Sequence, residues 1–151
     1  MISPNIQKLI QEAMKAKDET RLSTLRLLAS ALAYEKIAQQ KVLTEVEELA
    51  VVKKEAKIRE DAIKAYTVVG AIQRAEQEKK ELEILKSFLP PQMSDEEIRK
   101  IVEETIVQLG VSDPSGMGRV IGAVKTKTGV AADGAKIAQM VKVRLAPKES
   151  I

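Results

Sequence analysis

The sequence predicts an all-α protein in two parts: an N-terminal domain of about four helices over residues 1–91, and a three-helix tail module over residues 92–151. Three observations carry this prediction. Apolar residues make up 44% of the 151 but aromatics only 2%, so any core must be filled by Leu, Ile, Val, Ala and Met, the usual filling of packed helices. Those residues recur at three- and four-residue spacing along the chain, and no run alternates with the period of a strand. Pro90-Pro91 interrupts the pattern, because neither proline donates a backbone hydrogen bond and each disfavours helix in the residue before it.

Each element follows from a start signal, an apolar stripe and a stop. Ser3-Pro4 reads as N-cap and first-turn proline of a helix whose stripe is Ile6, Leu9, Ile10, Ala13 and Met14. With three lysines and no aromatic, this helix suits a core better than a membrane surface. Asp18 or Thr20 can cap a second helix, carrying Leu22, Leu25, Leu28, Ala29 and Leu32 towards Gln39. After a short connection, Thr44-Glu45-Val46-Glu47 matches a capping box and opens a third helix with Leu49, Val52, Ala56, Ile63 and Tyr66 on one side. Arg59 stands where that stripe calls for an apolar residue. A snorkelling side chain, or an ion pair with Glu55 or Glu60, is the plain reading, and a functional contact is the other. Gly70 ends or bends this helix, and Ala75, Leu82, Leu85, Phe88 and Leu89 line a highly charged fourth.

Beyond the prolines, Ser94-Asp95-Glu96-Glu97 is a second capping box, followed by Ile98, Ile101, Val102, Ile106 and Leu109 on one face and by Gly110 as a left-handed stop. Asp113-Pro114 starts a sixth helix with Met117, Val120, Ile121 and Val124 inward and Gly129 after its end. Asp133 caps a seventh, with Ile137, Met140, Val141 and Leu145 inward before Pro147.

Composition closes off much chemistry. There is no Cys and no His, which removes thiolate nucleophiles, imidazole bases and the usual zinc and haem ligands. No catalytic residue, metal or cofactor is therefore expected. The acids Glu45, Glu47, Glu48, Asp95, Glu96 and Glu97 stand at helix starts, where capping and the helix dipole account for them. No stretch approaches the ~20 apolar residues of a membrane span, so a cytoplasmic protein without membrane contact is the expectation. Of the formal charge of +3, the excess is concentrated in residues 111–151, which carry seven basic and three acidic side chains. Such a patch suits either plain solvation or an anionic partner.

The one unusual pattern lies in the sixth helix. At 100° per residue, Gly118, Gly122 and Lys125 share a side about 110° from the apolar stripe. Two glycines inside a helix cost about 2 kcal/mol relative to alanine, which calls for close approach of another helix, a phosphate backbone or another partner, unless the helix begins later. Lys125-Thr126-Lys127-Thr128-Gly129 is not in P-loop order, so it does not read as a nucleotide site.

Ser87-Phe88-Leu89-Pro90-Pro91-Gln92-Met93-Ser94, Met117-Gly118-Arg119-Val120-Ile121-Gly122 and Ala132-Asp133-Gly134 closely resemble the GatB/YqeY family. Arg26, Glu35, Arg59 and the run Glu81 to Leu85 extend the likeness across nearly the whole chain, as in a stand-alone YqeY-like protein. The resemblance implies a helical N-terminal domain followed by the tail module shared with the B subunit of glutamine-dependent aspartyl/glutamyl-tRNA amidotransferase, where the module helps hold tRNA. Where the family's third helix ends in arginines, this chain reads Tyr66-Thr67-Val68-Val69. The catalytic cradle of that subunit and the Ser-Ser-Lys amidase of its partner have no counterpart here.

The resemblance thus implies a non-catalytic accessory protein that binds tRNA or another structured RNA; the basic tail and the glycine side make Arg119, Lys125, Lys127 and Lys136 the expected phosphate contacts, with Gly118 and Gly122 letting the backbone come close. The scarcity of aromatics argues against single-strand recognition by base stacking. Two alternatives stand beside it: a protein-interaction adaptor for a tRNA-dependent enzyme, and a carbon-nitrogen ligase with glutamine as amido-N-donor, the latter lacking any nameable nucleophile and base.

Overall fold

The computed structural model describes residues 1–147, and the expected end of the tail module, residues 148–151, lies outside them. Among the described residues there are seven α-helices and no strand: α1 (Ile6–Lys15), α2 (Glu19–Gln39), α3 (Glu45–Val68), α4 (Ile72–Lys86), α5 (Asp95–Leu109), α6 (Met117–Thr128) and α7 (Gly134–Leu145). The all-α class read from composition and periodicity is the class observed. The fold divides into two compact units, Met1–Leu89 and Pro90 onward.

In the first unit, Asp18 accepts the Arg21 backbone N–H at 3.0 Å and caps α2. The box at Thr44 forms reciprocally: Glu47 N–H donates to Thr44 Oγ1, and Thr44 N–H donates to Glu47. Lys41 and Thr44 together hold the Glu47 carboxyl well below its ordinary value, at about 2. The start of α1 differs from expectation. Asn5, not Ser3, occupies the N-cap and makes no side-chain cap bond. Ser3 is outside the helix, and its backbone N–H is directed to Glu48 at 3.1 Å.

Gly70, at φ +73°, ends α3 and lies midway between Arg59 and Glu81, whose ion pair clamps α3 to an antiparallel α4. The α4 helix stops at Lys86, earlier than its apolar pattern alone implies, yet Phe88 and Leu89 still pack on the first core. The proline that follows excludes helix at Leu89. That core is built from Ile6, Ile10, Leu25, Leu28, Leu32, Val52 and Leu85 with their neighbours, each such side chain contributing about 1.5–3 kcal/mol on burial.

The second unit closes around Ile98, Val102, Val120, Val124, Ile137 and Val141. Its leading segment is tied down where Met93 N–H donates to the Ala131 carbonyl at 2.8 Å. Ser94 and Glu97 form the second capping box, and the Ser94 hydrogen bonds lower the Glu97 pKa. Gly110 closes α5 at φ +63°. Asp113-Pro114 does not start α6 directly. It opens a single 3₁₀ turn, Pro114–Gly116, that leads into the helix. Asp133 caps α7 by accepting the Ala135 N–H at 2.8 Å.

Candidate nucleic-acid interface

The α6 helix buries Val120, Val124 and Thr128 against α5 and α7. The opposite side is bare: Gly118 and Gly122 are exposed, and a Cβ built on either would meet nothing within 4 Å. Packing against another part of its own unit therefore does not explain these glycines. Gly116 is the reverse case. A Cβ there would fall inside the van der Waals envelope of Val111 Cγ1, so only glycine fits this turn.

These environments give opposite expectations for one substitution. Gly118→Ala and Gly122→Ala should each raise stability by up to about 1 kcal/mol, the difference in helix propensity. Gly116→Ala should lower it by about 1–3 kcal/mol through overpacking. Thermal denaturation of the three variants checks both signs, and a destabilised Gly122→Ala would show that the open face is not open.

The expected basic residues divide into two groups. Arg119 and Lys125 are exposed and flank the glycines of α6, and their side chains have no ion pair or hydrogen bond among the described residues. The Lys125 side chain runs beside Gly134, the first residue of α7, with Cε 3.3 Å from where a Cβ would stand there. Its ammonium group is thereby near the first turn of α7, where backbone N–H groups give a partial positive charge. The other two are engaged. Lys127 reaches α5, donating to Thr105 Oγ1 at 3.0 Å and Gln108 Oε1 at 2.6 Å. Lys136 pairs with Asp95 at 2.9 Å, and this hydrogen bond raises its pKa. Both members of that pair are more than half exposed, so solvent screens the pair and holds it weakly.

Helical geometry already separates Lys127 from Gly118, Gly122 and Lys125, since nine residues from Gly118 at 100° each place it on the opposite side. Thr105 is a participant that the sequence barely signals. It is 1% exposed, donates to the Ile101 carbonyl at 2.7 Å and accepts the Lys127 ammonium. A threonine on an apolar helix face is its only mark in the sequence. No group of three or more Asp, Glu, His or Cys that could hold a metal occurs among the described residues. None of the helices described there is long and apolar enough to cross a membrane.

Comparison with known proteins places this chain in a family. An uncharacterized protein of Schizosaccharomyces pombe is 30% identical over 96 residues, covering 61% of this chain and 78% of the relative. The altered inheritance of mitochondria protein 41 of Lachancea thermotolerans, a mitochondrial protein by name, is 33% identical over 114 residues, 74% of this chain and 61% of that protein. The Yqey-like protein family matches residues 3–145, spanning both units, and the chain belongs to that family.

Proposed function

We propose that this protein is a non-catalytic accessory factor that binds tRNA or another structured RNA through its second unit. The observation that carries the reading is the bare side of α6. Gly118 and Gly122 leave backbone exposed, and Arg119 and Lys125 stand there without an intramolecular partner among the described residues. Backbone that a phosphate can approach closely, flanked by unpaired cations, suits phosphate and shape recognition. Lys136 can join by exchanging Asp95 for a phosphate, whereas Lys127 would have to leave Thr105 and Gln108 first. The cytoplasmic setting is part of the proposal, with the mitochondrial name of one relative as the competing address that cell fractionation decides. Amide transfer by the chain alone is not expected.

The test is binding of the full chain to tRNA and to duplex DNA across a salt series. Removing one cation from a phosphate should lower the magnitude of the log-affinity against log-salt slope by about 0.7–0.9. An Arg119→Glu, Lys125→Glu double variant should therefore bind more weakly and with a flatter slope, with Lys127→Gln having the smaller effect. Gly118→Ala should weaken binding while stabilising the fold. Absence of any preference for tRNA over duplex DNA at physiological salt would end the reading.

Adaptor function is the second reading. The turn joining α3 to α4 favours it, leaving Val68 86%, Val69 75% and Ile72 59% exposed. A protein partner that survives nuclease treatment, and that Val68→Glu releases, would move the assignment there.

A further inference from the structure

The α2 helix is apolar on two opposite sides. Thr24, Leu25, Leu28 and Leu32 face the core and are buried, while Leu27, Tyr34 and Ile37 are 51%, 75% and 71% exposed. At 100° per residue, Ser23, Leu27, Ser30, Tyr34 and Ile37 fall within a strip about 80° wide on the side away from the core. Their spacing of four, three, four and three is that of a coiled-coil seam. Ala31, Ala33 and Ala38 flank it, so a second helix can come close. Arg26 is the charged residue at its border, and its guanidinium is turned to Met14 of α1. Isolated apolar side chains on a surface need no explanation, but here three of them recur at seam spacing over four turns, alternating with serines and flanked by alanines.

We propose that this face pairs with the same face of a second copy, antiparallel about a two-fold axis at the level of Leu32. The alternation of large and small residues selects that partner. Leu27 with Ile37, and Ser30 with Tyr34, share one midpoint in the sequence. A single antiparallel register therefore sets Leu27 against Ile37 of the other copy and each Tyr34 over a serine, twice over. Between Ser23 and Ile37 no charge lies within the strip, and Glu19, which shares the azimuth of Ile37, falls beyond the paired segment in this register, so two copies meet without like-charge repulsion, which a two-fold contact between identical surfaces would otherwise double. A helix pair of this length buries on the order of 1,000 Å², the lower end for specific association, which sets the expected dissociation constant in the micromolar range.

The experiment is sedimentation velocity on the nuclease-treated full chain between about 1 and about 200 µM, the range such an interface calls for. The mass should rise with concentration from 16.6 kDa towards twice that value. Ile37→Glu and Tyr34→Glu, both at exposed positions that leave the helical circular dichroism intact, should each weaken association at least about tenfold. Val68→Glu, on the α3–α4 turn, should leave it unchanged. Because the chain has no cysteine, Ser30→Cys supplies a unique thiol, and a short bismaleimide should join two copies in the dimer. A monomer at every concentration overturns the proposal. So does a dimer indifferent to Ile37→Glu, or one dissociated by Val68→Glu.

Discussion

Replacing Arg59 with alanine should lower the stability of the first unit by about 3–5 kcal/mol, the range for removing one partner of a buried ion pair. Arg59 is 7% exposed, and its guanidinium holds two carboxylates: Glu55 at 2.6 Å within α3 and Glu81 at 3.3 Å on α4. Glu78, one turn before Glu81, already has its pKa raised by burial and by the Glu81 charge, with Arg59 acting in the opposite sense. Without the guanidinium, Glu78 keeps its burial and the Glu81 charge but loses the Arg59 charge that lowers its pKa. Its folded-state pKa should then lie further above the unfolded value. A carboxyl with a raised folded pKa costs stability as pH climbs through that value and ceases to cost it once protonated. The gap between Arg59→Ala and the native chain should therefore be widest near neutral pH and narrow as the solution is acidified towards the ordinary glutamate range. Arg59→Lys should fall between, since a lysine keeps the charge but not the planar fork that serves two acids at once. Urea denaturation as a function of pH measures all three. A loss below about 1 kcal/mol, or a gap independent of pH, would show that the cluster does not hold α3 to α4.

This cluster also marks the limit of what the sequence disclosed. The interruption of the apolar stripe at Arg59 was visible, and so was Glu55 one turn away. Glu81 was not, because the hairpin that brings it close depends on where Gly70 turns the chain. Elements set by signals within a few residues were legible: both capping boxes, the Asp18 and Asp133 caps and the left-handed Gly110. Boundaries governed by distant partners were not. The start of α1 lies at Asn5 and not Ser3, and Glu48, 45 positions away, holds the segment before it.

The candidate interface divides the same way. That Gly118, Gly122 and Lys125 share a side follows from helical geometry alone, and the emptiness around the two glycines resolves the choice that the sequence left open between an internal neighbour and open surface. The engagement of Lys136 with Asp95, 41 positions away, and the path of Lys125 along Gly134 are tertiary facts with no local signature. Net charge over the tail therefore overstated what is free to meet a phosphate: two of the four cations singled out are occupied.

Glu48→Gln should cost about 1.5–3 kcal/mol, the worth of hydrogen bonds to a charged acceptor. By its position in the first turn of α3, Glu48 reads as one of three acids complementing the helix dipole, yet the three do different things. Glu47 closes the capping box, whereas Glu48 is 1% exposed. Its carboxylate accepts the backbone N–H of Ile2 at 2.5 Å and of Ser3 at 3.1 Å, fixing the segment before α1 to the first turn of α3. No buried side-chain nitrogen or oxygen among the described residues lacks a partner, so the carboxylate is satisfied where it stands. A glutamine of the same shape offers one oxygen and one NH₂, and the NH₂ would face a backbone donor. One amide then has no acceptor inside the protein, which costs more than exchanging a hydrogen bond for one to water. Glu48→Ala should cost more still, since it abandons both amides and leaves a cavity. Thermal denaturation gives the magnitude, at about 4–8 °C per kcal/mol for a unit of this size. Amide exchange gives the cause: Ile2 and Ser3, so near the chain end, should be protected in the native protein and exchange freely in the variant. A glutamine variant of native stability, with both amides still protected, would mean that something other than Glu48 holds this segment in place.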